Sequence, residues 1–375
     1  MKALIAADLA PAKIGSLECQ IFAVARMLET AGVQVTLSFA GALSRSVSDH
    51  FDPRSGGSRV QTELGSLGSV ENRDRWLRHL GEEKPDILWL HFFPPAGRFL
   101  GRVRRACPEA TVYFTDHVSR GYDARRPLRR ALCRGRAALC SHQVDRYIAV
   151  SRFVARRLEV NDFVPAAKIR TIYNGVDLAR FHPSQHSGRH VTAICNMIPQ
   201  KGVPVLLEAL VLLKRQGVEL ACQLVGVGPY LDNYRAFVRD NALDAVAFLG
   251  RRDDVHEIVR QAQLTVVPSV WDEAFGLAAA ESMAAGVPVI ASNIGALPEI
   301  VEDNVTGLLV PPGDAKSLAA ALLALTSDPQ RRRTMGLRAR EKAEQQFDSE
   351  KQNQKIADML LSRTPERPAF AATAC

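Results

Sequence analysis

The chain has 375 residues, 47% hydrophobic and 23% charged, with a formal net charge of +8, an ordinary globular balance whose length suits two full-sized cores. No apolar stretch reaches membrane-spanning length, and the opening run Met1-Lys2-Ala3-Leu4-Ile5-Ala6-Ala7 is too short for a signal peptide before Asp8 ends it. Seven scattered cysteines without a C-x-x-C pair exclude zinc spacing and a disulfide scaffold, and point to reduced, mostly buried thiols in a cytosolic protein.

Residues 3–8 read as a first strand. A helix over 17–31 follows, with apolar residues at 21, 24, 25 and 28 forming one buried face, and Gly32 ends it ahead of a strand over 33–39. This is a βαβ unit with Gly15 at its strand-to-helix turn. It has no G-x-G-x-x-G, so a dinucleotide site has little support. Residues 41–75 are polar and rich in Gly and Ser, and read as a long mobile excursion, either a lid or binding loop or simple surface disorder. A helix starts over 76–80, and a strand over 87–90 ends at His91. The next strand, over 111–115, ends in Asp116-His117. Ligands in a doubly wound sheet sit at such carboxyl ends, although a lone histidine is more often structural than catalytic.

Between Arg98 and Arg136 eleven arginines stand against Glu109, Asp116 and Asp123. That local excess suits an anionic acceptor or an acidic membrane surface, or is a solvated helix face. It lacks the aromatic interleaving of a nucleic-acid site. A strand over 144–150 leads to Ser151, which caps a helix over 152–160. A strand over 169–173 ends at Asn174-Gly175, whose glycine suits the positive φ of a sharp turn. His182, His186 and His190 repeat every four residues, but Pro183, Ser184 and Gly188 break the segment, and a polar linker is the better reading than a metal helix.

The second half repeats the βα pattern. A strand starts at 190–195, and Asn196 to Gly202 form a loop opening a helix over 203–216. Lys201 in that loop is well placed for a diphosphate or is a surface lysine at a turn. Strands over 220–226 and 246–249 flank a helix over 230–241, and a helix over 254–262 follows Gly250-Arg251-Arg252. The stretch 266–301 organises the chain. Leu264-Thr265-Val266-Val267 is a buried parallel strand; the loop from Pro268 to Gly276 carries Glu273; a small-residue helix over 277–285 carries Glu281; Val287 to Ala291 is the next strand; and 298–301 opens another helix. Free N–H groups of Phe275, Gly276 and Leu277 would face the crevice at that helix start. Two carboxylates there suit the vicinal hydroxyls of a sugar or ribose, though a loop acid and a helix acid give the same spacing. A hairpin-like turn and short strand over 304–314 and helices over 315–326, 329–347 and 349–362 finish the chain, with a loose tail over 363–375.

The run Glu273-Ala-Phe275-Gly276-Leu277-Ala-Ala-Ala-Glu281, with Pro268-Ser269 before it and Gly286, Pro288 and Gly295 after it, resembles the signature of the retaining family four glycosyltransferases (group 1 glycosyltransferases). The stretches from Asp145 to Ser151 and from Ile172 to Asp177 resemble the same family. The resemblance implies an α/β fold of GT-B architecture, with two Rossmann-like domains facing a cleft: an acceptor domain over 1–185, a nucleotide-sugar donor domain over 186–347, and a helix over 348–362 crossing back to the first. The implied activity is transfer of a sugar from a nucleotide-sugar donor to a sugar, lipid-linked or small-molecule acceptor with retention, without cofactor or metal.

The family's site residues carry over by position. His117 points at the donor sugar, and His91 lines the acceptor side. Gly15 stands near the donor phosphate or acceptor, with Ser16 where the family has a second glycine. Lys201 and the N–H groups near Gly276 and Leu277 meet the diphosphate. Glu273 holds a sugar hydroxyl, Glu281 the ribose, and Arg252 lies near the base. Asn196 departs from the pattern, because the family typically has an arginine there as a second cation for the diphosphate. The adjacent Asp253-Asp254 is the nearest thing to a metal site and reads as a helix start. The readings left beside transfer are a nucleotide-sugar epimerase or hydrolase on the same fold and a non-catalytic sugar-nucleotide-binding protein.

Overall fold

The computed structural model describes residues 1–11, 15–44, 47, 58–93, 98–117, 143–183 and 188–362. Its first half builds a seven-stranded parallel sheet in the order β3-β2-β1-β4-β5-β6-β7. The strands are β1 (Lys2–Ala7), β2 (Gln34–Phe39), β3 (Arg59–Gln61), β4 (Ile87–His91), β5 (Thr111–Asp116), β6 (Arg146–Ala149) and β7 (Ile169–Thr171). Between them run α1 (Ser16–Thr30), α2 (Val70–Glu83), α3 (Arg98–Ala106) and α4 (Arg152–Asn161). β1 and β4 read as nearly continuous apolar runs, which is what a strand covered by helices on both faces requires.

The second half builds a six-stranded parallel sheet in the order β10-β9-β8-β11-β12-β13. Its strands are β8 (His190–Ile194), β9 (Cys222–Val225), β10 (Val246–Gly250), β11 (Ala262–Val267), β12 (Val289–Ser292) and β13 (Gly307–Val310). Its helices are α5 (Val203–Arg215), α6 (Leu231–Asp240), α7 (Val255–Arg260), α8 (Leu277–Ala284), α9 (Leu297–Ile300), α10 (Ala315–Thr326) and α11 (Pro329–Gln346). The order reverses between β1 and β4 in one sheet and between β8 and β11 in the other. Loops leaving those strands diverge and open a crevice, the place where doubly wound sheets bind ligands.

The last helix, α12 (Ser349–Leu361), packs on α1. Ile356, Ala357 and Leu360 are buried in one core with Ile21, Val24 and Leu28, and Tyr113 Oη donates to the Met359 carbonyl at 3.0 Å. The halves also share a continuous apolar core at their junction, where Phe275 and Phe347 pack edge-on at 5.6 Å and Tyr173 lies 6.0 Å from Phe275.

Several sequence expectations change. The excursion over 41–75 is structured in part: β3 pairs with β2, Leu64 and Leu67 are buried, and α2 begins at Val70, capped by the Ser69 hydroxyl. Its segment 48–57 lies outside the described residues, as do 118–142 of the arginine-rich region, 184–187 of the histidine-bearing linker and the tail. Within that region α3 is a regular amphipathic helix with Leu100 and Val103 buried. The stretch over 304–314 gives a strand parallel to β12, not a hairpin. Gly175 does not take positive φ. A Cβ there would lie 2.3 Å from Ser349 Cα, so glycine serves the close crossing where Val176 N–H donates to the Phe347 carbonyl at 2.6 Å. Among the described cysteines Cys107 and Cys222 are buried, whereas Cys19 is exposed.

Candidate active site

Lys201 sits in a 3-10 turn, Pro199–Lys201, between β8 and α5. Gly202 follows with φ +71°, and a Cβ there would lie 1.7 Å from the Pro268 carbonyl oxygen. Only glycine therefore lets this turn close on the end of β11. The closure brings Lys201 Nζ to 2.7 Å from Glu273 Oε1. Ser269 Oγ donates to the same oxygen at 2.6 Å, and Lys201 Nζ lies 5.6 Å from the centroid of the Trp271 ring. Glu273 is 8% exposed; a carboxylate so deeply placed calls for such partners. Its Oε2 takes no hydrogen bond among the described residues.

α8 begins at Leu277 with Gly276 as its N-cap. The N–H groups of Phe275, Gly276 and Leu277 take no partner among the described residues. Such unspent donors, with the positive end of the helix dipole behind them, attract oxyanions. They share a cleft cavity of about 950 Å³ with Lys201 and Glu273, within the usual range for small-molecule sites. The opposite wall of this cavity comes from the first half of the chain and includes Ser16, Gln20, Phe92 and His117.

His117 follows β5 and is partly exposed in the cleft. Its Nε2 lies 3.0 Å from His91 Nδ1, with the ring planes 17° apart and the centroids 5.3 Å apart. Loss of solvation among the groups packed round the ring pushes the His117 imidazole down to about 4, although one edge reaches the cleft. Burial, and secondarily the neighbouring His117, hold His91 well below the ordinary histidine range. Both rings are therefore neutral near pH 7. His91, expected on the acceptor side, is wholly buried and does not line the cavity; it stands behind His117.

Gly15 is the N-cap of α1, and its N–H donates to Glu18 Oε2 at 3.0 Å, so that donor is spent inside the helix turn. Ser16 Oγ donates to Glu281 Oε1 at 3.2 Å and links the two halves across the cleft. Asn196 is exposed on the cavity wall. Arg252 also lines it, but its guanidinium is held by both oxygens of Asp254, at 2.7 and 2.5 Å. Its neighbour Arg251 lines the cavity without a carboxylate partner among the described residues. Sequence reasoning passed over Arg251, Ser269 and Trp271. The four-residue spacing of Ser269 and Glu273 across one loop was a usable signal; nothing in the sequence marks which of two adjacent arginines is tied down.

Residues 17–180 match the family described as Glycosyltransferase Family 4, and residues 179–342 match Glycosyl transferases group 1. A GDP-mannose-dependent alpha-(1-6)-phosphatidylinositol monomannoside mannosyltransferase of Mycolicibacterium smegmatis is 27% identical over 316 residues, covering 79% of this chain and 81% of the relative. A putative colanic acid biosynthesis glycosyltransferase of Escherichia coli is 30% identical over 229 residues, 58% of this chain and 56% of the relative; the chain thus matches little more than half the length of that protein. Among solved structures, Anabaena HepE in complex with UDP superposes with a TM-score of 0.78 at 22% identity, covering 97% of this chain and 100% of that one, a likeness of fold. Matched in both halves and built as two Rossmann-like domains about a cleft, the chain belongs to the group 1 glycosyltransferases of GT-B architecture.

Proposed function

We propose that this chain transfers a glycosyl unit from a nucleotide-sugar donor to an acceptor hydroxyl with retention at the anomeric carbon. The observation that carries the reading is the Lys201–Glu273 pair set beside the unspent N–H groups of Phe275, Gly276 and Leu277 in one cleft. Glycosyl transfer asks for a neutralised leaving diphosphate, an oriented sugar and exclusion of water. Lys201 and the α8 N-terminus meet the diphosphate as its charge grows. Glu273 takes a sugar hydroxyl through Oε2, Glu281 takes ribose hydroxyls, and His117 reaches the sugar from the facing wall. Gly15 and Ser16 lie near the phosphate or the acceptor. Asn196 offers an uncharged hydrogen bond where the family typically has arginine, and Arg251 supplies a cation on the same wall.

The bond from the anomeric carbon to the phosphate oxygen breaks while the bond to the acceptor oxygen forms on the same face. The acceptor proton passes to the departing phosphate, so no side chain is assigned as nucleophile. The nucleotide sugar is a substrate in this reading, and no cofactor or metal is assigned. HepE is solved with UDP, and the Mycolicibacterium relative is named for GDP-mannose, so uridine and guanosine donors are the first to test. The acceptor is a sugar, a lipid-linked glycan or a small molecule. The reading places the protein in the cytoplasm, with peripheral contact to an anionic membrane through the Arg98–Arg136 region; no described helix is long and apolar enough to cross a membrane.

The test is thermal stabilisation of the purified chain by UDP, GDP, ADP and dTDP sugars, followed by proton NMR of the product's anomeric configuration. One nucleotide class should raise Tm in proportion to the logarithm of its concentration, and the product should keep the donor's configuration. A folded chain unshifted by all four classes rules the donor reading out, and an inverted product rules out retention. Consumption of donor without acceptor would favour a hydrolase or epimerase.

A further inference from the structure

We propose that His91 is a positioning residue for His117: its Nδ1–H fixes the His117 tautomer that carries its proton on Nδ1 and therefore offers the cleft a hydrogen-bond donor, not a base. The inference deepens the proposed donor site, and rests on that reading only for what His117 touches.

The two imidazoles share one hydrogen bond, between His91 Nδ1 and His117 Nε2 at 3.0 Å, and one of them must donate it. A neutral imidazole has one N–H and one lone pair, so the choice of donor sets both tautomers. If His117 donated from Nε2, His91 would carry its proton on its own Nε2. That atom is fully buried and without a partner. Its ring lies 4.3 Å from Trp89, whose N–H is already donated to Thr115 Oγ1 at 2.7 Å. An orphaned N–H in such a place is costlier and rarer than an orphaned lone pair. The arrangement that leaves only a lone pair unpartnered has His91 donating from Nδ1.

The consequence falls on His117. Its Nε2 lone pair is taken up by His91, and its proton sits on Nδ1, which has no partner among the described residues. Its ring lines the cleft cavity. His117 then has no lone pair with which to accept a proton. Its free N–H suits an oxygen, either a sugar hydroxyl or a developing oxyanion. Burial of both rings keeps them neutral near pH 7, so neither can supply the bond as an imidazolium. The bond between the two nearly parallel rings and the Phe92 ring 5.3 Å from His117 hold the plane in which that N–H lies.

The experiment is a long-range proton–nitrogen NMR spectrum of the full chain labelled at histidine, near neutral pH, with His117 assigned by loss of its signals in His117→Asn. The expected pattern is a protonated Nδ1 and a bare Nε2; the reverse pattern overturns the proposal without any variant. His91→Asn keeps an N–H where Nδ1–H stands and should leave the tautomer unchanged. His91→Phe removes it and should shift His117 towards the Nε2–H form, raising the donor KM by about three- to tenfold while His91→Asn stays near wild type. A His117 tautomer unmoved in folded His91→Phe overturns the positioning role. With the expected tautomer present, His117 signals that move with neither UDP-glucose nor GDP-mannose support the positioning and overturn the sugar contact.

Discussion

The two walls of the cleft are built in opposite ways. The wall from the second half gathers its groups from one turn and one continuous stretch: Lys201 reaches across to Glu273, and α8 starts four residues later. Its charged pair lines the cavity, with Lys201 the more exposed partner. The wall from the first half takes Ser16 from the start of α1 and His117 from the end of β5, with His91 behind it at the end of β4, and its histidines are held neutral. Its own ion pair is hidden beneath the surface, where Arg157 and Asp116, each 1% exposed, pair directly before His117. One wall thus meets charge with charge, while the other presents neutral hydrogen bonds and keeps its charge as support. For a reaction in which negative charge gathers on the leaving group and not on the sugar, that is a useful division.

The sharpest way to break the comparison is to strip the support. Arg157→Met leaves the Asp116 carboxylate buried without its guanidinium, and should cost about 3–5 kcal/mol of stability. Urea unfolding measures it, and Asp116→Asn added to Arg157→Met should recover part of the loss. A cost below about 1 kcal/mol would mean the pair is not a foundation of that wall. Lys201→Ala should act chiefly on activity, with a fall of about 10²–10³ in kcat/KM and a smaller loss of stability than Arg157→Met, because Ser269 still donates to Glu273. Loss of stability in place of activity would make Lys201 a partner for Glu273 and nothing more.

The neutral histidines make the first wall acid-sensitive. In the unfolded chain both rings bind protons at their ordinary value, about 6.5. In the folded chain His117 does so only at about 4, and His91 well below the ordinary range. As pH falls through that window the unfolded chain takes up protons that the folded one refuses, so their contribution is complete above about 6.5 and is lost as pH approaches 4. Tm followed from about pH 7 down to about pH 5 should therefore drop, and drop less in a His91→Asn, His117→Asn double variant. Equal slopes in the two proteins would show that neither ring carries the effect.

The same contrast governs what could be read from the sequence. The second wall was legible because its groups are local: strand, loop and helix follow one another from Leu264 to Ala284, and the sheet's period and the caps give their places. His117 was legible as a strand end. The burial of His91 was not, because it depends on the register of β4 beside β5, which sets His91 opposite Thr115. α2 was placed too late because Val70 to Arg75 is mostly polar, with Trp76 and Leu80 as its buried residues. Gly175 was read as a turn residue because its true reason, contact with Ser349, lies far along the chain. Arg252 was preferred to Arg251 although Asp254 occupies it, a matter of side-chain geometry that spacing does not resolve.

The walls touch where Ser16 Oγ donates to Glu281 Oε1, and here the smallest effects sharpen the comparison most. On the proposed reading the ribose hydroxyls need the carboxylate that Ser16 engages. Glu281→Ala should weaken UDP or GDP binding about tenfold, the worth of a charged hydrogen bond. Ser16→Ala keeps the helix start but removes the competing hydroxyl, and should tighten the same nucleotide by about two- to fivefold. Calorimetric titration of both variants decides it. Weaker binding in Ser16→Ala would mean that the hydroxyl serves the donor directly, and the first wall would then take part in holding the nucleotide. Tighter binding would leave the nucleotide to the second wall, with Ser16 as the contact it must displace on entry.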